Sequence, residues 1–252
     1  MNTKANELVP ISRSDLSRAS VADRSARVIE RARNAAIEGL GGGLFPTAQK
    51  IASGTNAGNL LVNGLQSEPD NHSDLALLQE HPKTTLAGAS LIAAACGITN
   101  LTLALPTGLD KSLREVAQSA LQEELNWLNS FATNECNARQ VYVKSDHATG
   151  QEHQLAFSLG LIDSLSTSQR RRPLVQLGVL CINLATCHAL ARAVYDAQPL
   201  TERLVTVNGA PQWIKFGTSV NSVLTPAWIN GRHGGGPAEL SNAVVDGSVF
   251  CK

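Results

Sequence analysis

The chain has 252 residues, 43% of them hydrophobic, which is enough for one large core, or a large and a small one, and excludes the disordered classes. Lysine plus arginine and aspartate plus glutamate number 21 each, so no global field draws the chain to nucleic acid or to an acidic membrane, and neither is expected as a partner. The most apolar run, residues 86–98, is broken by Gly88, Ser90 and Gly97 and is too short to span a bilayer, and residues 1–14 carry no apolar signal region; no transmembrane segment and a cytoplasmic location are expected.

Residues 1–19, rich in Ser, Asn, Asp and Arg, read as a loosely attached, flexible leader. Ser20 stands three residues before Asp23, a capping-box-like helix start. From there Val21, Ser25, Val28, Ile29, Ala32 and Ala36 share one helical face, while Arg24, Arg27, Glu30, Arg31 and Arg33 take the others as a solvated face. The helix stops at Gly39. Residues 39–50 then form the stretch around which the chain is organised: Gly39, Gly41, Gly42 and Gly43, followed by Leu44-Phe45-Pro46-Thr47 and, three residues on, Lys50. Glycines remove the Cβ atoms that hold a backbone away from a ligand, and Lys50 supplies a cation where loop amides gather an anion. A helix C-cap running into a surface turn is the plainer reading of the same residues.

Residues 60–63 read as a short buried strand ending at Asn63-Gly64 and leading to Glu68-Pro69, which puts polar side chains at the carboxyl edge of a sheet, where open α/β sheets bind ligands. A strand-to-loop turn explains them as well. Helices are expected at 74–80, from about 84 to 96 and from 111 to about 128, with strands at 101–105 and 140–144. Strands alternating with helices imply parallel pairing by right-handed crossovers, hence an α/β, doubly wound, mostly parallel sheet. Residues 145–154 follow the 140–144 strand, again at a carboxyl edge; Gly150, Glu152, His153 and Gln154 either face the same ligand or favour a helix N-terminus. The apolar stretch 174–182 ends at Asn183, with a helix from 184 to about 196 behind it, and Asn183 and Thr186 are either helix-capping or ligand-binding residues.

Composition changes after Pro199: short β-rich pieces at 203–207, 212–216 and 218–224 read as a small appended module, and residues 233–252 show little periodicity. The domain expectation is a leader at 1–19, a Rossmann-like α/β domain at 20–198, the β-rich module at 199–232 and a C-terminal segment at 233–252. The five cysteines form no C-x-x-C pair and suit reduced thiols, so no iron–sulfur cluster is expected in this chain. The six histidines form no H-E-x-x-H or similar pair, and no metal site is expected.

With these residues in view, the chain resembles the C subunit of the Rnf electron-transport complex and, more distantly, the NADH-binding flavoprotein subunit of respiratory complex I. The likeness runs from about Ala26 onward. Its marks are Gly39-Leu40-Gly41-Gly42, Phe45-Pro46-Thr47 and Lys50; Val62-Asn63-Gly64 and Glu68-Pro69; Glu80-His81-Pro82; Gly150, Glu152 and Gln154-Leu155; Gly178-Val179, Asn183 and Thr186; Pro199-Leu200, Glu202-Arg203 and Val205-Thr206-Val207; Gly217-Thr218; and Gly235-Gly236-Pro237. The resemblance implies FMN on the glycine loop and NADH as the hydride donor. It puts Gly39, Gly41, Gly42, Gly43, Lys50, Asn63, Glu152, Asn183 and Thr186 around the flavin, and Glu68 and His153 nearer the nicotinamide. It also implies a ubiquitin-like (SLBB-like) fold for the β-rich module and a separate redox protein as partner, with this chain peripheral to a membrane complex.

The chain departs from the family at Leu44, where the family has glycine, and at Gln66, Ser67, His153 and Ala185. A leucine in the loop is expected to fill part of the space a cofactor needs. The sequence therefore supports an electron-transfer flavoprotein subunit passing electrons from NADH through FMN to a redox partner, an NADH-dependent oxidoreductase component. The alternative is a non-catalytic binding or assembly module that has kept the fold and lost the cofactor.

Overall fold

Three apolar runs bounded by turn residues become β1 (Asn59–Asn63), β2 (Asn100–Pro106) and β4 (Val179–Asn183), and the more polar Asn137–Val143 becomes the edge strand β3. The computed structural model, which describes residues 8–65, 71–144, 151–163, 166–223, 242–245 and 248–251, pairs all four in parallel in the order β3-β2-β1-β4. The chain steps outward from β1 to β2 to β3 and then returns to lay β4 on the other side of β1. Strand order thus reverses between β1 and β4, the point at which doubly wound sheets open a crevice at their carboxyl ends. Register carries the last residues of both strands to the same height, with Asn63 opposite Asn183.

Alternation along each strand sorts the sheet into two faces. Leu60 and Val62, Leu101, Leu103 and Leu105, and Leu180 and Ile182 join the main core with α2 (Val21–Asn34), α5 (Pro82–Cys96), α6 (Lys111–Asn129) and α9 (Leu184–Tyr195). On the other face Leu61, Ala104, Val179 and Cys181 pack with Leu155 and Ala156 of α7 (Glu152–Ser158), Ile162 and Leu174. The sheet is covered on both sides, as the sequence predicts, but unequally. The shorter helices α3 (Thr47–Ser53), α4 (Ser73–Glu80) and α8 (Thr167–Arg170) sit in the connections.

Helix α5 is buried from Thr85 to Cys96, and its alanines and glycine let α9 come close. An ideal Cβ built on Gly88 would stand 1.8 Å from the Cys187 carbonyl oxygen, so only glycine permits this crossing. Proline at the first turn of α5 and Gly97 in the left-handed region after its end delimit the helix.

Two expectations for the amino-terminal region change. Residues 8–19 are not a loose leader: α1 (Arg13–Arg18) buries Leu16 completely, and the Ile11 amide donates to Val194 O at 2.8 Å. Arg13 fixes this helix by donating from Nη2 to the buried Glu124 at 2.5 Å, with its guanidinium over the rings of Trp127 and Tyr195. Nor are the arginines of α2 all solvated. Ser20 caps the helix as expected, accepting from the Asp23 amide, but Arg24 is 4% exposed and Arg31 is buried. Arg24 donates to the carbonyls of Leu16, Ala19 and Ala94 and lies over the Phe131 ring; Arg31 donates to those of Ala193 and Val9. A planar guanidinium with five donors can satisfy itself on carbonyls from several segments, which is what makes its burial tolerable. Burial lowers the pKa of both groups from the usual arginine value.

A second, antiparallel sheet follows, in the order β6-β5-β7-β8. Its hairpin, β5 (Glu202–Val207) and β6 (Ala210–Lys215), turns at Asn208-Gly209, both at positive φ, as a two-residue hairpin loop requires. The 218–224 segment, expected as a strand, instead forms the helical turn α10 (Val220–Val223) at its described residues, whereas the 233–252 segment supplies β7 (Asn242–Val245) and β8 (Ser248–Cys251). The second sheet therefore extends past the boundary expected at residue 232. Among the described residues no helix is long and apolar enough to cross a membrane.

Candidate functional site

The crevice between β1 and β4 is built from the two strand ends. Asn183 closes β4 and caps α9: its Oδ1 accepts from both the Thr186 amide and the Thr186 hydroxyl, each at 2.9 Å. Its Nδ2 donates to Asp74 Oδ2 at 2.6 Å, which ties the strand end to α4. Beside it, Asn63 Oδ1 accepts from the Leu65 amide at 3.0 Å in an Asx turn that bends the chain out of β1. Both asparagines thus carry the plain structural role the sequence allows, at strand ends that lie side by side.

The glycine loop lies over Asn183. The Gly39 amide donates to Phe45 O at 2.9 Å and the Leu44 amide to Gly39 O at 3.2 Å, so residues 39–45 close into a compact bend in front of α3. The Leu40 amide donates to Thr186 Oγ1 at 2.9 Å, and Arg203 of β5 donates to Leu40 O at 3.3 Å. A Cβ on Gly41 would press on the Asn183 Cβ at 3.3 Å, whereas Cβ atoms on Gly42 (φ +93°) and Gly43 would meet nothing within 4 Å. One glycine lets the loop rest on the strand end, and the next two leave its backbone facing open space. Leu44, expected to fill part of the space a cofactor needs, adopts φ +46° and is 67% exposed. The left-handed turn points the isobutyl group out to solvent.

Lys50, in the last turn of α3, pairs with Glu152, the first residue of α7, at 2.9 Å, with both side chains part exposed. Lys50 lies close enough to act on the buried thiols of β4 and α9, and Glu152 on that of β4. Burial pushes the Cys181 thiol well above its usual pKa, with the Glu152 carboxylate adding and Lys50 opposing; burial does the same to Cys187, with Asp74 adding and Lys50 opposing. These thiols are therefore inert at neutral pH. His153 Nε2 lies 2.8 Å from Arg172 O, which anchors α7 to the loop before β4. Glu68 lies outside the described residues. Asp74 and Arg203 were missed by sequence reasoning: Asp74 gave only a helix-start signal, and nothing local marks Arg203 as a residue that reaches the glycine loop. Among the described residues no group of three or more His, Cys, Asp or Glu side chains could hold a metal ion.

Bare loop backbone facing open space, the Lys50–Glu152 pair and two carboxamides at neighbouring strand ends are groups of the kind that FMN needs. Residues 32–192 match the family described as the Nuo51 FMN-binding domain of the complex I 51K type. The C subunit of the ion-translocating oxidoreductase complex of Buchnera aphidicola is 26% identical over 208 residues, covering 79% of this chain and 40% of the relative. Its namesake from Haemophilus influenzae Rd is 28% identical over 210 residues, covering 81% and 24%. The chain thus spans well under two thirds of the length of these relatives. An NAD+-reducing NiFe hydrogenase in its H2-reduced state shares the fold, with a TM-score of 0.62 at 19% identity over 84% of this chain and 38% of that one. With well over half of its length inside the family match, the chain belongs to the Nuo51 FMN-binding domain family.

Proposed function

We propose that the chain binds FMN in the β1–β4 crevice and works as the flavin-bearing part of an electron-transfer assembly, receiving reducing equivalents from NADH and passing electrons to a separate redox protein. The observation that carries this reading is the seating of Gly41 on Asn183 at the strand-order reversal, with Gly42 and Gly43 facing open space; the Lys50–Glu152 pair, whose charges act on the β4 thiol, supports it. The names of its relatives, subunits of an ion-translocating oxidoreductase complex, support a role beside other subunits, with this chain peripheral to a membrane complex.

In this reading FMN supplies the chemistry, accepting a hydride and releasing electrons one at a time, and the protein supplies binding and orientation. Lys50 would neutralise phosphate charge once Glu152 yields it. Gly42 and Gly43 admit the cofactor to the backbone, and the Asn63 and Asn183 carboxamides set the polar rim. Gly39, with its amide closed on Phe45, shapes the bend; Glu152 and Thr186 hold the surrounding elements, while Glu68 and His153 belong to the nicotinamide side.

The test is reconstitution. Purified protein is incubated with FMN, passed through a size-exclusion column and its visible spectrum recorded. Flavin bands that co-elute with protein are expected, and NADH is expected to bleach them. If no flavin co-elutes after incubation at high micromolar concentration, the flavin reading fails. The non-catalytic binding or assembly module then takes its place, a reading favoured by the pairing of Lys50 with Glu152 rather than with an open anion site.

A further inference from the structure

We infer that Asp74, a residue outside the loop and the strand ends, is the positioning residue that fixes the glycine loop through a directed chain of hydrogen bonds. This inference rests on the flavin reading for its consequence and on the geometry alone for its mechanism. The chain runs from Asp74 Oδ2 to Asn183 Nδ2 (2.6 Å), from Asn183 Oδ1 to the Thr186 hydroxyl (2.9 Å), and from Thr186 Oγ1 to the Leu40 amide (2.9 Å). It joins four parts of the molecule: α4, the end of β4, the first turn of α9 and the glycine loop.

The direction follows from the donors and acceptors. An ionised carboxylate only accepts, so Asp74 can face the amino end of the Asn183 carboxamide and not its oxygen. That fixes the flip of the amide and turns Oδ1 toward Thr186, where it receives both the amide and the hydroxyl proton. With its proton committed to Asn183, the Thr186 hydroxyl has only lone pairs to offer, and Leu40 must donate to it. Asp74 is buried, so the first link is little weakened by solvent. Without the carboxylate the Thr186 amide alone is left to hold Asn183 Oδ1 in this orientation, the carboxamide loses its tie to α4, and the arrangement in which Leu40 is held is weakened. The Leu40 amide precedes Gly41, which rests on the Asn183 Cβ, so the relay and the close approach set the same stretch of loop over the crevice.

Two measurements on the full chain test this. The first is hydrogen exchange at the Leu40 amide without flavin; the second is FMN affinity by quenching of flavin fluorescence. Asp74→Ala is expected to speed exchange at Leu40 by about tenfold or more, while amides in the middle of α5 keep wild-type protection, and to raise the Kd for FMN about tenfold, as loss of one bond to a charged group implies. Asp74→Asn keeps an acceptor oxygen for Asn183 and is expected to restore both values toward wild type, which a purely steric role for the carboxylate would not predict. Wild-type exchange at Leu40 in Asp74→Ala overturns the inference, as does failure of Asp74→Asn to restore it. If Asp74→Ala does not fold, Asp74→Ser, whose hydroxyl is too short to reach Asn183, makes the same comparison. Should the wild-type protein bind no FMN, the flavin reading fails, and Leu40 exchange still decides the role of Asp74.

Discussion

Replacing Gly88 by alanine couples the packing of the main core to the site. The new Cβ would lie 1.8 Å from Cys187 O, 2.4 Å from its carbonyl carbon and 2.8 Å from its Cα. An ordinary carbon–oxygen contact needs about 3.3 Å, so α9 must retreat from α5 by about 1.5 Å. Added methylenes in a packed core typically cost about 1–3 kcal/mol, and here both sides are helix backbone, with no rotamer to relieve the clash; the upper end, about 3 kcal/mol, applies. The better helix propensity of alanine returns about 1 kcal/mol, leaving a net loss of about 2 kcal/mol. For a chain of this length each kcal/mol lowers Tm by about 2–4 °C, so a fall of about 4–8 °C is expected by calorimetry. Cys187 follows Thr186 directly, so the same retreat displaces the hydroxyl that accepts from the Leu40 amide at 2.9 Å, and FMN affinity should fall with Tm. Gly43→Ala, whose Cβ meets nothing within 4 Å, serves as the control and should leave Tm within about 1 °C, as surface substitutions usually do. A Gly88→Ala protein with wild-type Tm and wild-type FMN affinity would refute the account of the α5–α9 contact.

Lys50→Ala should weaken FMN binding by less than the roughly 1.5–3 kcal/mol of a hydrogen bond to a free charged group, because Glu152 already holds the ammonium, as measured by fluorescence titration; unchanged affinity would remove Lys50 from the phosphate position. Leu44→Gly should leave FMN affinity within about twofold, because its side chain stands in solvent, and change stability by less than about 1 kcal/mol, since relief of left-handed strain and the added freedom of the unfolded chain oppose each other. A marked gain in affinity would mean that the leucine does obstruct the crevice. Stability should fall as pH falls from about 6.5 toward 4: burial first, then His81 and Arg192, hold the folded His188 pKa down to about 4, so the unfolded chain binds the extra proton in that window. Urea unfolding should show a loss of about 2 kcal/mol between pH 7 and pH 5, and His188→Gln should abolish that part of the slope.

Elements set by local pattern were legible in the sequence. The strands stand where apolar residues meet turn residues, and the β1–β4 register sets Asn63 beside Asn183, which caps the helix carrying Thr186, while Lys50 and Glu152 pair with each other between α3 and α7. What was not legible depends on partners distant in sequence. Arg24 reads as surface charge because its three carbonyl acceptors come from α1, the segment after it and α5, and no periodicity reports them. Asp74 reads as a helix-start acid because its partner is 109 residues away. Leu44 was judged by its volume alone, and its backbone, at φ +46°, and its 67% exposure are features that no local pattern reports. The β7–β8 pair escaped notice because two four-residue strands are too short to carry an alternating pattern.

The polar groups of the crevice are already bonded to one another, and this sets how a ligand can gain affinity there. Lys50 holds Glu152, Asn183 spends its carboxamide on Asp74 and Thr186, and Asn63 Oδ1 bends its own backbone. A ligand that takes any of these groups exchanges a hydrogen bond within the protein for one with itself, so each exchange yields less than a bond to a free group. Affinity must then come from what is not committed: backbone along Gly42 and Gly43, and the exposed ring of Phe45 beside them. The two kinds of contact also divide the labour. Satisfied side chains keep the crevice rigid before the ligand arrives, so little ordering entropy is lost on binding, while the bare loop provides new contact area. A flat ring with a phosphate tail suits that division, because its area falls on the glycines and its charge competes for Lys50 at one point. It follows that Glu152→Gln, by releasing Lys50 from its ion pair, should tighten FMN binding rather than weaken it.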